Sequence, residues 1–349
     1  MTSASMPKTF MTGGLPAADL VATVIDNKYK MAIPLDRQRR TFRELGLEVA
    51  EPTLCYWVAK AANCVELVYD RFLKLLRGQQ YLHGDETPIQ VLREPGKTPT
   101  SKSYLWEMRS IEAAEQSLVF FHYATSRSEK VAQSLYAGYQ GTLVCDGYNH
   151  LPPEVIRAGC WAHVRRKFYE ATNGIKSQMS LGRQFVKLIN RLFAIERHTN
   201  GISECERLDV RQRKAVPIVE QIFQLVEQTQ VIAKSKLGRA IQYLLNQKQA
   251  LMVYLTDPQV AISNNVAERS IRPTVMGRKN WLFSTSQKGA KINAIFLSLM
   301  ESAEANGLNY RKYLMTLLEE MPQLSSSEID TKLEDYLPWN QRIQRICVD

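Results

Sequence analysis

The chain has 349 residues, of which 45% are hydrophobic and 23% charged; this is ordinary for a folded protein and excludes collagen-like, low-complexity and wholly disordered classes. At roughly 150 residues per domain the length predicts about two domains, and no run approaches the roughly 20 apolar residues of a membrane span. Lys and Arg number 45 against 35 Asp and Glu, leaving a net charge of +10, which suits a polyanionic partner, most simply nucleic acid.

Residues 1–15 are small and polar and predict a loose start. Asp19 interrupts the only nearby apolar stretch, so no secretory signal is expected. Residues 16–77 read as a helical region. Leu35–Leu45 is rich in basic residues and stops at Gly46, and Pro52 stands where a new helix would begin. Two helices joined across Gly46 resemble a helix-turn-helix; a small packing subdomain is the other reading.

Residues 78–163 change texture. Tyr81–Leu92, Ser103–Met108 and Ser117–Tyr123 read as strands, the first two a hairpin with a long Pro/Gly-containing loop. Ser128–Tyr136 reads as a helix, Gly141–Cys145 as a short buried strand and Ala158–Ala162 as another. The order implies a mixed sheet with a helical crossover. Residues 164–260 read as helical throughout, with apolar Phe185, Leu188, Ile189, Leu192 and Phe193 at helical spacing, then Val216, Val219, Ile222, Phe223 and Val226. This has the look of a helical insertion. Residues 261–322 return to mixed structure, with a helix Ala290–Asn306 stopped by Gly307, and 323–349 form a C-terminal tail.

Three carboxylates stand out by context. Asp85 lies in His83-Gly84-Asp85-Glu86-Thr87 on the first strand. Asp146 ends the strand Thr142-Leu143-Val144-Cys145. Glu268 lies in Asn264-Asn265-Val266-Ala267-Glu268-Arg269 on a helix. Hard oxygen donors of this kind suit Mg²⁺ or Mn²⁺, and a two-ion site clamps the attacking and leaving oxygens of a phosphodiester displacement. Each also has an ordinary reading. Asp146-Gly147 is a common turn pair, Asp85 a strand-end residue, and Glu268 the partner of Asn265 in a capping box.

The longer motifs weigh further. His83–Thr87, Asp146-Gly147-Tyr148, Gly159-Cys160-Trp161-Ala162-His163-Val164-Arg165-Arg166-Lys167-Phe168 and Asn264–Pro273 resemble motifs of the insertion sequence 66 family of bacterial DDE transposases. Gly277-Arg278-Lys279-Asn280-Trp281-Leu282-Phe283 and Leu337-Pro338-Trp339-Asn340 extend the likeness, which runs from about Pro16 to Asn340. The resemblance implies an α/β fold: an RNase H-like catalytic core interrupted by an all-α insertion and preceded by a small helical region. It implies a catalytic and metal-binding triad of Asp85, Asp146 and Glu268 with two Mg²⁺ or Mn²⁺ ions. The family's full-length members carry, ahead of this region, a coiled segment and a cysteine-containing zinc-binding segment; neither is found here, which implies an N-terminally shortened relative, a fragment or a decayed copy.

From Arg269 to Lys291 there are six basic residues and no acidic one, with Trp281 and Phe283 interleaved. Arg269, Arg272, Arg278, Lys279 and Trp281 are therefore candidate DNA contacts, as are Arg165, Arg166 and Lys167; the other reading is that Trp281 and Phe283 are core and the charges a solvated face. His83 and His163 are candidate supporting residues beside the carboxylates. None of the six cysteines forms a CxxC pair, so no zinc is expected, and a reducing cytoplasm is the simplest compartment. The combined expectation is a cytoplasmic, nucleoid-associated DNA transposase acting on element ends and target DNA, as a homo-oligomer and with accessory proteins of the same element. The competing expectation is a non-catalytic remnant that binds element ends. A simple nuclease with the same core is a third reading.

Overall fold

A computed structural model describes residues 8–11, 16–174 and 180–348; most of the expected loose start, and the last residue of the tail, lie outside them. In chain order the elements begin with α1 (Ala18–Tyr29), α2 (Leu35–Glu44) and α3 (Glu51–Arg77). The strands β1 (Tyr81–Arg93), β2 (Lys102–Ser110) and β3 (Val119–Ala124) follow, then α4 (Glu129–Leu135), β4 (Thr142–Cys145) and β5 (Ile156–Gly159). Next come α5 (Trp161–Ala171), α6 (Leu181–His198), α7 (Glu204–Val210), α8 (Val216–Glu227), α9 (Lys236–Asn246) and α10 (Lys248–Thr256). The chain ends with α11 (Asn265–Ser270), α12 (Arg272–Trp281), β6 (Ser284–Ser286), α13 (Gln287–Ala305), α14 (Tyr310–Glu320), α15 (Ser326–Lys332) and α16 (Gln341–Cys347). The six strands form a mixed sheet. Among the described residues no helix is long and apolar enough to cross a membrane.

Two compact units divide the chain. The first comprises Met1–Gln79, Asp85–Ala137 and Ala267–Asp349; the second comprises Gln80–Gly84 and Gly138–Val266. Strand β1 is shared between them.

In the first unit, Gly46 takes a left-handed conformation (φ 84°) after α2, a position glycine fills at no steric cost. Pro52 sits in the first turn of α3, where its missing N–H matters least. Strand β3 pairs antiparallel with β2 and ends the row of strands. Its outward N–H groups need partners. Phe121 N and Val119 N donate to Ser298 Oγ and Ser302 Oγ of α13, at 2.8 and 2.9 Å. The match is geometric: two residues of strand span about 6.6 Å and four residues of helix about 6 Å. Ala294, Ser298 and Ser302 are buried on that face, and their small size lets the helix approach.

In the second unit, Tyr81–His83 of β1 pair in parallel with Thr142–Val144 of β4, and β4 pairs in parallel with β5. Helices α5, α6, α8, α9 and α10 gather around a core that includes Trp161, Phe168, Phe185, Ile189, Leu192, Ile222, Leu244 and Leu251. Phe168 and Phe185 stack at 4.3 Å. Trp161 donates its ring N–H to Leu251 O at 3.1 Å. The strand expected at Ala158–Ala162 lies earlier, at Ile156–Gly159, because Cys145 registers with Gly159. The helix expected from Val164 starts at Trp161, so His163 is helical.

Arg211 is buried at 1% exposure, in a π-helical turn between α7 and α8. Its guanidinium makes a two-pronged pair with Glu196 at 3.0 and 2.7 Å. It also donates to Tyr254 O and Asp257 O at 2.6 and 2.8 Å. Removing one partner of a buried pair strands the other. Arg211→Ala is therefore expected to lower stability by about 3–5 kcal/mol, measured by urea denaturation.

Candidate active site

Asp85 lies within β1, half-buried, and its Oδ1 accepts a hydrogen bond from Glu86 N at 2.8 Å. The neighbouring Glu86 carboxylate pairs with Arg127. Asp146 directly follows β4 and is half-buried. Its neighbour Gly147 lies against α9: a Cβ there would stand 3.2 Å from the Tyr243 ring, so the turn has little room for a side chain. Burial raises the Tyr243 phenol above its usual range, and the Asp146 charge adds to the effect. Lys167, one of the expected DNA contacts, places its Nζ 5.9 Å over the Tyr243 ring, and nearby Arg157 donates to Gln247. Glu268 is half-buried in α11.

Asp85 and Glu268 thus belong to the first unit and Asp146 to the second. Asp85 and Asp146 hold matching positions in the strand register: each stands two residues beyond the last paired residues of the parallel ladder, His83 and Val144. Three carboxylates are the hard-oxygen donor set that Mg²⁺ and Mn²⁺ accept, so the residue types fit such ions. Among the described residues no three His, Cys, Asp or Glu side chains gather closely enough to hold one.

Two buried polar groupings around these carboxylates are absent from the sequence reading. His83 is 1% exposed, and its Nδ1 meets Asn264 Oδ1 at 2.8 Å. Asn264 Nδ2 donates to Gly84 O at 2.8 Å, and Asn264 N donates to Cys160 Sγ at 3.2 Å. In the first unit, Glu107 of β2 is wholly buried and accepts from Ser270 Oγ at the end of α11. Arg109 Nη1 donates to the same Ser270 oxygen at 2.8 Å. Burial pushes the Glu107 carboxyl well above its ordinary range; Ser270 and Arg109 oppose this, and the charges of Asp85 and Glu301 add to it. A lone acid among buried Leu105, Trp106 and Met108 was the available signal for Glu107.

The expected DNA contacts differ in their surroundings. Arg272 and Lys279 are exposed on α12, and Arg278 is half-buried. Arg269 pairs with Glu112. Arg165 donates to Asn190 Oδ1 at 2.6 Å, and Arg166 lies 3.4 Å from His163 Nε2. Trp281 is half-buried. Its ring meets Tyr29 edge-on at 6.2 Å, and Lys28 Nζ lies 5.6 Å over it. The exposed apolar residues are its neighbours Leu282 and Phe283, at 63% and 41%.

A family profile described as "Transposase IS66 family" matches residues 13–292. Three uncharacterized proteins of Sinorhizobium fredii also align along nearly the whole chain. Protein y4qI is 30% identical over 97% of this chain and 65% of its own length. Protein y4jD is 29% identical over 98% of this chain and 70% of its own. Protein y4hP is 29% identical over 93% and 62%. The chain therefore spans about two thirds of the length of these relatives.

The buried acids generate a pH dependence of stability. Burial pushes the Glu301 carboxyl from 4.5 up to about 8; Glu304 adds to this and Arg109 opposes it. The folded state therefore holds a proton that the unfolded chain has released. This stabilisation is complete below pH 4.5 and is lost as pH rises through 8. The urea midpoint is expected to fall across that window, and Glu301→Gln should flatten the fall.

Proposed function

The chain belongs to the IS66 family of transposases, and from that premise we propose that it is a DNA transposase using Asp85, Asp146 and Glu268 as its metal-binding carboxylates. The observation that carries the reading is the register: Asp85 and Asp146 occupy equivalent positions after a parallel ladder.

In this reading Mg²⁺ or Mn²⁺, held by the three carboxylates, supplies charge neutralisation at the phosphodiester. The chain's own part is to bind and orient DNA. Arg272, Arg278 and Lys279 on α12, four or more residues after Glu268, engage backbone phosphates, and Phe283 offers the exposed ring that Trp281 does not. Water oxygen forms a new bond to phosphorus at the element end while the bond to the 3′ oxygen breaks. The products are a 3′-hydroxyl and a 5′-phosphate. The 3′-hydroxyl oxygen then attacks a target phosphodiester and displaces its 3′ oxygen, so one bond forms as one breaks. We assign the N-terminal helices α2 and α3 to binding of the end sequence. Two ends must be held together, which calls for a homo-oligomer, with accessory proteins of the element as further partners.

The test is cleavage and strand transfer on labelled duplexes carrying element ends. Asp146→Asn is expected to reduce metal-dependent cleavage at least about 100-fold while DNA binding persists. Cleavage surviving this change would overturn the assignment. Binding with no cleavage by the unaltered chain would mark a non-catalytic end-binding protein, and nicks without joined products a nuclease. Replacing Arg272, Arg278 or Lys279 by Ala should each lower the log–log salt slope of binding by about 0.9, read by fluorescence anisotropy.

A further inference from the structure

Asn264 holds two segments of the chain together through three hydrogen bonds. Its amide nitrogen donates to Gly84 O, its amide oxygen meets His83 Nδ1, both at 2.8 Å, and its backbone N–H donates to Cys160 Sγ at 3.2 Å. His83, Cys160 and Asn264 are 1%, 2% and 0% exposed. The bonding fixes the tautomer: Asn264 Oδ1 can only accept, so His83 Nδ1 carries the proton. An amide is the side chain this position requires, because it must accept on one side and donate on the other.

The place of this latch in the chain is what gives it a role. Gly84 immediately precedes Asp85 on β1. Asn264 immediately precedes α11, and Glu268 stands four residues on, about one helical turn. The latch therefore ties the residue leading into one candidate ligand to the residue leading into another. We propose that Asn264 is a positioning residue for the acidic site, setting the backbone from which Asp85 and Glu268 are presented. This rests on the reading of those two carboxylates as metal ligands. His83 serves the site by holding the Asn264 amide in orientation, and the Cys160 sulfur by holding its backbone.

The experiment is Mn²⁺ titration of the full chain by calorimetry, with the unaltered protein, Asp85→Asn, Glu268→Gln, Asn264→Ala and Asn264→Asp. Melting curves are recorded alongside. Loss of affinity in Asp85→Asn and Glu268→Gln is expected. Asn264→Ala should weaken Mn²⁺ binding about 10- to 100-fold, the usual effect of losing a group that orients a ligand. Asn264→Asp, which retains the acceptor for His83 but loses the donor to Gly84, should do the same. Added to Glu268→Gln, Asn264→Ala should weaken binding by less than it does in the unaltered chain, because only its effect through Asp85 is left, whereas a general loss of structure would weaken both equally. Unchanged affinity in folded Asn264 variants would overturn the latch and leave the carboxylate assignment standing. If Asp85→Asn and Glu268→Gln do not alter Mn²⁺ binding, both fall. A readout on the unaltered chain guards against variants that do not fold: ¹⁵N NMR of the histidine rings should show His83 as the Nδ1–H tautomer, and the Nε2–H tautomer would overturn the latch.

Discussion

The short parallel ladder between Tyr81–His83 and Thr142–Val144 is the constraint on which the candidate site depends. Its residues Leu82, Leu143 and Val144 are buried, and since Leu143 and Val144 are neighbours in one strand, both faces of the ladder are covered. The ladder's last pair, His83 with Val144, sets the equivalent positions of Asp85, within β1, and Asp146, just after β4. Gly147 then turns the chain in the narrow space left by Tyr243.

Buried polar groups do a different job from that apolar packing. Each is costly unless bonded, and several in this chain fix one element against another. Ser298 and Ser302 seat α13 on the outer edge of β3. Arg211 joins the α7–α8 turn to the end of α10 through Tyr254 O. Ser270, with Glu107 and Arg109, fastens the end of α11 to β2, while Asn264 fastens the segment before α11 to β1. The helix carrying Glu268 is thus flanked by buried hydrogen bonds on both sides.

Local signals made much of this legible in sequence. The Gly46 stop, the Pro52 start, the strand patterns of β1–β4 and the apolar spacing of α6 and α8 all depend on residues near one another in the chain. Asp85, Asp146 and Glu268 were visible through motifs, and their assignment as ligands is carried by those motifs and the ladder register. The partners of Asn264 and Glu107 were not visible, because each bond joins residues more than a hundred positions apart. Trp281 shows the same limit. Its edge-on contact with Tyr29, from the first helix, joins residues far apart in the chain. The strand near Ala158 was displaced because pairing with β4, a non-local contact, set its limits.

The central claim is that Asp85, Asp146 and Glu268 together bind divalent metal for DNA strand chemistry. The most direct measurement is a crystal of the chain soaked in Mn²⁺, with the ion located by its anomalous signal. The account predicts a peak coordinated by Asp85 and Asp146 with Glu268 beside it. Mn²⁺ bound elsewhere, with Glu268 turned to cap its own helix, would contradict it.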